Sequence, residues 1–250
     1  MRISQCVIAL AVLAAPLSAK PAASPISVAA SSSTRSADNV KLDESRKPVA
    51  VLSYLGLKRG MTVLDLFGAN HYWAELTAPV VGPKGRVMVW QPTQFWKGDT
   101  KTGFEAFAAK NPNVSIAVSP FEAPVLPRGK ADFVLLNLDY HDTYWQSEKN
   151  GIPRMEPQAF LKAVYGAMKP GAVIGVIDHV ANPGDTRATV EKLHRIDPAV
   201  VKADFKHAGF VLVGESNLLR NPADDHSLLV FDPKIRGKTD GFFFKFKKPR

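Results

Sequence analysis

The sequence predicts an α/β domain built on a seven-stranded, mostly parallel sheet with helices on both faces and an antiparallel strand at its C-terminal end. Three observations carry this. From Asp43 onward, short continuous apolar runs alternate with stretches of helical periodicity. The apolar runs are too short for buried helices but fit strands covered on both faces. The last two runs are joined by a long polar connection with no helical pattern, and a strand reached without a crossover helix pairs antiparallel.

The elements follow in order. Glu44 to Leu55 places Val49, Leu52 and Leu55 on one helical face and ends before Gly56. Met61 to Leu66 is the first strand, and Tyr72 to Val81 returns to helical spacing, closed by Gly82-Pro83. Arg86 to Trp90 is the second strand, Phe104 to Lys110 a helix, and Val114 to Val118 the third strand. Ala131 to Leu138 is the fourth strand and Pro157 to Met168 the helix after it. Ala172 to Ile177 is the fifth strand, behind the Lys169-Pro170-Gly171 turn. Asp197-Pro198 opens a helix, with an Asp cap and proline in the first turn, that runs to Gly209. Val211 to Leu219 and Gly241 to Lys248 are the last strands. In the second of these Phe242, Phe244 and Phe246 alternate with Phe243, Lys245 and Lys247, the period of a strand.

Ahead of this domain, residues 1–19 read as a secretory signal. Arg2 supplies the positive start, Cys6 to Ala15 is unbroken and apolar, and Ala19 offers a small residue at the cleavage point. An apolar run of about ten residues is half of the roughly 20 that a membrane-spanning helix needs. The one cysteine, Cys6, lies in this segment, so the mature chain has no disulfide, no thiol nucleophile and no thiolate metal site. Residues 20–39, rich in Ala, Ser and Pro, read as a flexible linker, and 40–250 as the domain.

A charged fraction of 22% beside 46% hydrophobic residues is that of a globular chain. The formal charge of +9, one less once Arg2 is removed, favours peripheral contact with anionic surfaces. The basic residues are dispersed and no recognition motif accompanies them, which argues against nucleic acid as a partner. The chain has neither a G-x-S-x-G nucleophile turn nor a phosphate loop, so hydrolase and ATPase readings lack their parts.

Four segments carry a resemblance: RKPVAVLSYLGLKRGMTVLDL at 46–66, LNLDYHD at 136–142, NPADDH at 221–226 and FDPKIRGKTDGFFFKFKKP at 231–249. Together they resemble a bacterial family of exported methyltransferases with the class I S-adenosylmethionine-dependent fold, a Rossmann-like seven-stranded sheet. The resemblance implies S-adenosylmethionine as cofactor, with Asp65, Gly68, Asn70, Gln91 and Asn137 around it. The resemblance does not supply the methyl acceptor; with the signal-like N-terminus, the expectation is a small molecule or an envelope component.

Two departures stand out. Against a D-x-G-x-G-x-G loop, Phe67, Ala69 and His71 stand in place of the glycines, and only Gly68 remains, off register. A Cβ at such a loop collides with a closely approaching ligand. At the end of the second strand, where an acidic residue would hold the ribose hydroxyls, stands the uncharged Gln91. Export would also separate the protein from a cytoplasmic cofactor. The alternative is therefore a periplasmic binding domain that keeps the fold and has lost the cofactor.

In open α/β sheets ligands sit beyond the carboxyl ends of the strands. The polar residues there are Asn137, Asp139, His141 and Asp142 after the fourth strand and Asp178-His179 after the fifth, with His194 before the next helix. His141, backed by Asp142, is the candidate base, with His179 in reserve; each histidine also has a reading as a hydrogen-bonded structural residue. A divalent-metal set of Asp139, Asp178, His179 and His194 is a further option, since Asp139 and Asp178 occupy positions like those of the cation ligands in catechol-type methyltransferases.

Overall fold

The computed structural model describes residues 23–68 and 70–250. The signal segment and Ala69 lie outside the described residues.

Residues 23–39 are not a loose tether. α1 (Pro25–Ala30) is capped by Ser24, whose side chain accepts from the Ser27 amide, and it buries Ile26 and Ala29. α2 (Ala37–Lys41) follows. Arg35 pairs with both oxygens of Asp43, at 2.6 and 2.8 Å, and is itself buried. The composition of this stretch hid two apolar residues, Ile26 and Ala29, and one cation, Arg35, that find partners in the domain.

The helix expected over 44–55 is split into α3 (Asp43–Arg46) and α4 (Pro48–Leu55). The break falls at Lys47, which adopts left-handed φ 46°, because the ring of Pro48 excludes the helical conformation from the residue before it. β1 (Thr62–Leu66), α5 (Tyr72–Val81) and β2 (Arg86–Pro92) follow, then α6 (Gly98–Lys110) and β3 (Val114–Ser119). After β4 (Ala131–Asn137) come α7 (Pro157–Ala167) and β5 (Met168–His179), which is longer at both ends than the apolar run alone. α8 (Thr186–Leu193), capped by Asp185, was hidden in the sequence by its mostly polar face. α9 (Pro198–His207) starts at Asp197 as expected, with the carboxylate accepting from the Ala199 amide. β6 (Val211–Ser216) and β7 (Gly241–Lys247) complete the chain.

The strands form one sheet in the order β3-β2-β1-β4-β5-β7-β6. The first five are parallel, while β7 runs antiparallel to both β5 and β6. Two apolar layers cover it. On one face Leu64 and Leu66 of β1, Val134 and Leu136 of β4 and Phe242, Phe244 and Phe246 of β7 pack with Phe160 of α7 and Phe205 of α9. On the other, Val63, Phe133, Leu135 and Phe243 pack with α1, α4 and α5. The alternation along β1, β4 and β7 is the period of two carried into three dimensions. Among the described residues no helix is long and apolar enough to cross a membrane.

Candidate functional site

At the carboxyl ends of β1 and β4 the order of the parallel strands reverses, since the chain leaves β1 toward β2 on one side and returns to β4 on the other. A crevice opens at such a point. Here it is a cavity of about 390 Å³, within the range of small-molecule sites. Asp65, Gly68 and Asn70 line it from the β1 side, Asn137, Asp139, His141 and Asp142 from the β4 side, and His179 at the end of β5 and His194 after α8 from a third side.

The loops here are held in costly conformations. Phe67, Leu138 and His194, all on the cavity wall, have φ of 58°, 64° and 49°. Side chains in this region cost on the order of 1–3 kcal/mol each, and the surrounding structure must hold them there. Phe67 is held by its ring, which sits 4.9 Å from that of Trp90, 5.6 Å from Phe121 and 5.9 Å from Phe160. It is therefore a core residue that also borders the cavity. Gly68 lies so close to the strand that a Cβ would come 2.6 Å from Val89 and 3.0 Å from Asp65 Oδ2. Asn70 and Asn39 clasp each other, side chain to side chain at 2.8 Å and Asn39 Nδ2 to the Asn70 carbonyl at 3.1 Å, so the N-terminal segment fixes the loop.

His141 is 3% exposed. Its Nδ1 lies 2.8 Å from Asp178 Oδ1, its amide donates to Asp178 Oδ2 at 2.9 Å, and its Nε2 is 3.3 Å from Asp142 Oδ1. Burial pushes the imidazolium toward losing its proton, but the carboxylates of Asp178 and Asp142 outweigh it and raise the pKa to about 9. His141 is thus charged at neutral pH. His179 and His194 go the other way: burial, with the neighbouring His141 charge, pulls each down to about 4. Thr239 Oγ1 stands 2.7 Å from His179 Nδ1. Burial also raises the carboxyls, that of Asp65 to about 7 and that of Asp139 well above its ordinary value.

Several expectations change. The principal partner of His141 is Asp178, 37 positions on, with Asp142 the looser contact. Among the described residues no group of three or more His, Cys, Asp or Glu side chains is placed to hold a metal ion. The set of Asp139, Asp178, His179 and His194 fails because both Asp178 oxygens are engaged by N–H groups of His141 and His179. Gln91, the last residue but one of β2, is buried but is not on the cavity wall, and its Oε1 has no partner among the described residues.

Sequence reasoning missed Arg46, Tyr72, Trp73, Trp145, Val230 and Phe231, which also line the cavity. The first is reached only through the break at Lys47. The last two come from the polar connection before β7, whose roof-like position over the site no periodicity announces.

No family profile and no curated protein matches the sequence. Solved structures do match. A SAM-dependent methyltransferase from Aquifex aeolicus is 20% identical, with 85% of this chain and all of that one covered, at a TM-score of 0.58. The 1,6-didemethyltoxoflavin-N1-methyltransferase of Burkholderia thailandensis, determined with S-adenosylhomocysteine, is 13% identical over 85% of this chain and 80% of its own, at 0.54. The fold is that of the class I S-adenosylmethionine-dependent methyltransferases. The [4+2]-cyclase SpnF is equally similar, 13% identical over 87% and 84% at 0.59, so one fold serves more than one chemistry.

Proposed function

We propose that the protein is an S-adenosylmethionine-dependent methyltransferase whose cofactor lies in the cavity between the ends of β1 and β4. The observation that carries this reading is Asp65: a carboxyl buried at the end of β1, on the cavity wall, with Oδ2 lacking any partner among the described residues. A buried acceptor left unsatisfied costs about 1–3 kcal/mol, and a ligand N–H would remove that cost. Trp73 Nε1, on the same wall, is a buried donor in the same condition. These groups, with Gly68, Asn70 and Asn137, fit the amino-acid end of the cofactor. When bound, the cofactor would supply an electrophilic methyl group.

The chain's own residues would orient and receive. His179 stays neutral, and in the tautomer whose Nδ1–H donates to Thr239 Oγ1 its Nε2 can accept a hydrogen bond from the acceptor and orient it, its pKa of about 4 making it a weak base. His141, held charged by Asp178, donates hydrogen bonds rather than accepting protons. A second reading, a domain that keeps the fold without the cofactor, is favoured by Gln91, which stands off the wall where a ribose would be held. Calorimetric titration with S-adenosylhomocysteine decides between them: saturable heat in the parent, weakened tenfold or more by Asp65→Asn, supports the enzyme. No heat at millimolar ligand overturns it.

We further propose export, with the mature protein acting in the cell envelope on a small molecule or an envelope component; the signal-like residues 1–19 and the net positive charge support this.

A further inference from the structure

A second chamber of about 300 Å³ adjoins the first and shares Arg46, Asn137, Leu138, His179, Val230 and Phe231 with it. Among the described residues no carboxylate lines this chamber. Its permanent charges are the guanidinium groups of Arg46 and Arg236, set among Leu42, Ile177 and Leu219. Neither arginine takes part in any ion pair within 4.0 Å among the described residues, whereas Arg35, Arg195 and Arg220 each have a carboxylate partner.

Arg46 is half-buried and lies with its guanidinium 4.3 Å from the centroid of the Tyr72 ring. A cation withdrawn from water without a counter-ion is expensive. Burial lowers its pKa, and the carboxyl groups that act on it from farther away are Asp139 and Asp65, both of which ionise reluctantly, and Asp43, which is itself engaged by Arg35 and Tyr72. Beyond Arg236, the groove that shares it carries Lys47 and Lys238 as well as Lys41 and Arg220, which are paired with Asp38 and Asp240, against the one lining carboxylate of Glu44, so the groove stays net positive. A field of one sign at the mouth of a cleft draws in the opposite charge.

We infer that this second chamber binds the anionic group, a carboxylate or phosphate, of a small-molecule acceptor between Arg46 and Arg236, with the acceptor's reacting end directed past His179 into the first cavity. The inference rests on the methyltransferase reading for the word acceptor, but the anion site stands on its own geometry. The apolar residues that line the chamber with the two arginines call for an acceptor with an apolar body and one charged end.

The test titrates the full chain with inorganic phosphate, and separately with succinate, at constant ionic strength, following tryptophan fluorescence. Saturable binding is expected, weakened roughly tenfold to a hundredfold by Arg46→Gln and less by the exposed Arg236→Gln, and largely kept by Arg46→Lys. Absence of saturation, or equal affinity in parent and both glutamine variants, overturns the inference. Should Arg46→Gln unfold, Arg236→Gln alone decides by the same criterion.

A second arm separates the source of the anion. S-adenosylhomocysteine carries an amino-acid carboxylate and 5′-methylthioadenosine does not. Equal effects of Arg46→Gln on both, or none on either, support an acceptor site. Weakening of S-adenosylhomocysteine alone assigns Arg46 to the cofactor and overturns it. If neither nucleoside binds the parent, the methyltransferase reading falls, and the phosphate and succinate titrations still decide the anion site.

Discussion

Asp178 holds His141 with both carboxylate oxygens, Oδ2 accepting the backbone N–H at 2.9 Å and Oδ1 lying 2.8 Å from Nδ1. The pair ties the end of β5 to the turn after β4. It also sets the charges of the site, because the imidazolium it stabilises helps to keep His179 and His194 neutral.

The pH dependence of stability follows from these shifts. His141 has its folded pKa raised to about 9, so its contribution is complete below the unfolded value near 6.5 and is lost as pH rises through about 9. Asp178 is lowered by the same contact, so its contribution is present above the ordinary carboxylate value and is lost as pH falls through its depressed one. His179 and His194, pulled to about 4, take up protons in the unfolded chain first, and stability falls as pH drops from about 6.5 to 4. The histidine contributions together peak near pH 6.5, above which that of His141 declines, and the raised carboxyls of Asp65 and Asp139 favour still lower pH. Urea unfolding should therefore show its maximum no higher than about pH 6.5 and a fall toward pH 9. In Asp178→Asn, NMR should find the His141 titration moved down by more than one unit, with a stability loss of about 3–5 kcal/mol at pH 7. A His141 still titrating near 9 would refute the pairing.

Arg195 and Asp224 form the second buried pair, at 2.8 and 3.1 Å, and Arg195 also donates to the carbonyls of Leu228 and Val180. This fastens the connection that carries Val230 and Phe231 over the cavity. Asp224→Ala leaves a fully buried guanidinium without its anion, and a loss of about 3–5 kcal/mol is expected in urea unfolding. Limited proteolysis should then cut first within residues 217–240. A loss below 1 kcal/mol would show that the roof is fastened elsewhere.

Phe67 combines a poor backbone conformation with a good packing site. Phe67→Gly removes a ring packed on Trp90, Phe121 and Phe160, at a cost of about 3–5 kcal/mol, while relief of φ 58° returns about 1. The net expectation is a loss of about 2–4 kcal/mol with no gain in affinity for S-adenosylhomocysteine. A gain in affinity would mean that the ring obstructs the cofactor.

The strands were legible because each is a short apolar run, and β7 could be placed because Phe242, Phe244 and Phe246 alternate with Phe243. The N-terminal helices were not, since α1 buries only Ile26 and Ala29 and takes its place through Arg35 and Asn39, polar residues whose partners are distant in sequence. The residues that line the cavity from the ends of β4 and β5 were visible from their position at strand ends. Their pairing was not, because nothing in the order of Asp139, His141, Asp142 and Asp178 says which carboxylate faces which nitrogen. Gln91 stands off the cavity wall for the converse reason: a strand end fixes where a backbone stops, while the path of its side chain depends on the packing around it.

The export proposal has its own check. Cleavage after Ala19 would leave a mature chain starting at Lys20, ahead of α1 and with the Arg35–Asp43 pair intact. N-terminal sequencing of periplasmic material should read Lys-Pro-Ala-Ala. Recovery of the chain from the cytoplasm with Met1 in place would overturn it.

Asp65 gives the sharpest separation of stability from function. Its folded pKa is raised to about 7 by burial, above the unfolded value near 3.9. The unfolded chain therefore loses its proton first, and from about pH 4 to 7 the folded state is progressively disfavoured, by up to about 4 kcal/mol at 1.36 kcal/mol per unit. Asp65→Asn removes the titration and keeps the shape, so at pH 8 the variant should be more stable than the parent by about 2 kcal/mol or more, and at pH 4 it should be equal. The same change removes a carboxylate oxygen that has no partner on the cavity wall, and S-adenosylhomocysteine should bind at least tenfold more weakly. Thermal unfolding at the two pH values and calorimetry at pH 8 measure both. If the variant is less stable at pH 8, the carboxylate has a structural partner and is not held for a ligand. If it is more stable and binds as tightly as the parent, the cofactor's amino group is held by another residue, and the proposal loses the observation that carries it.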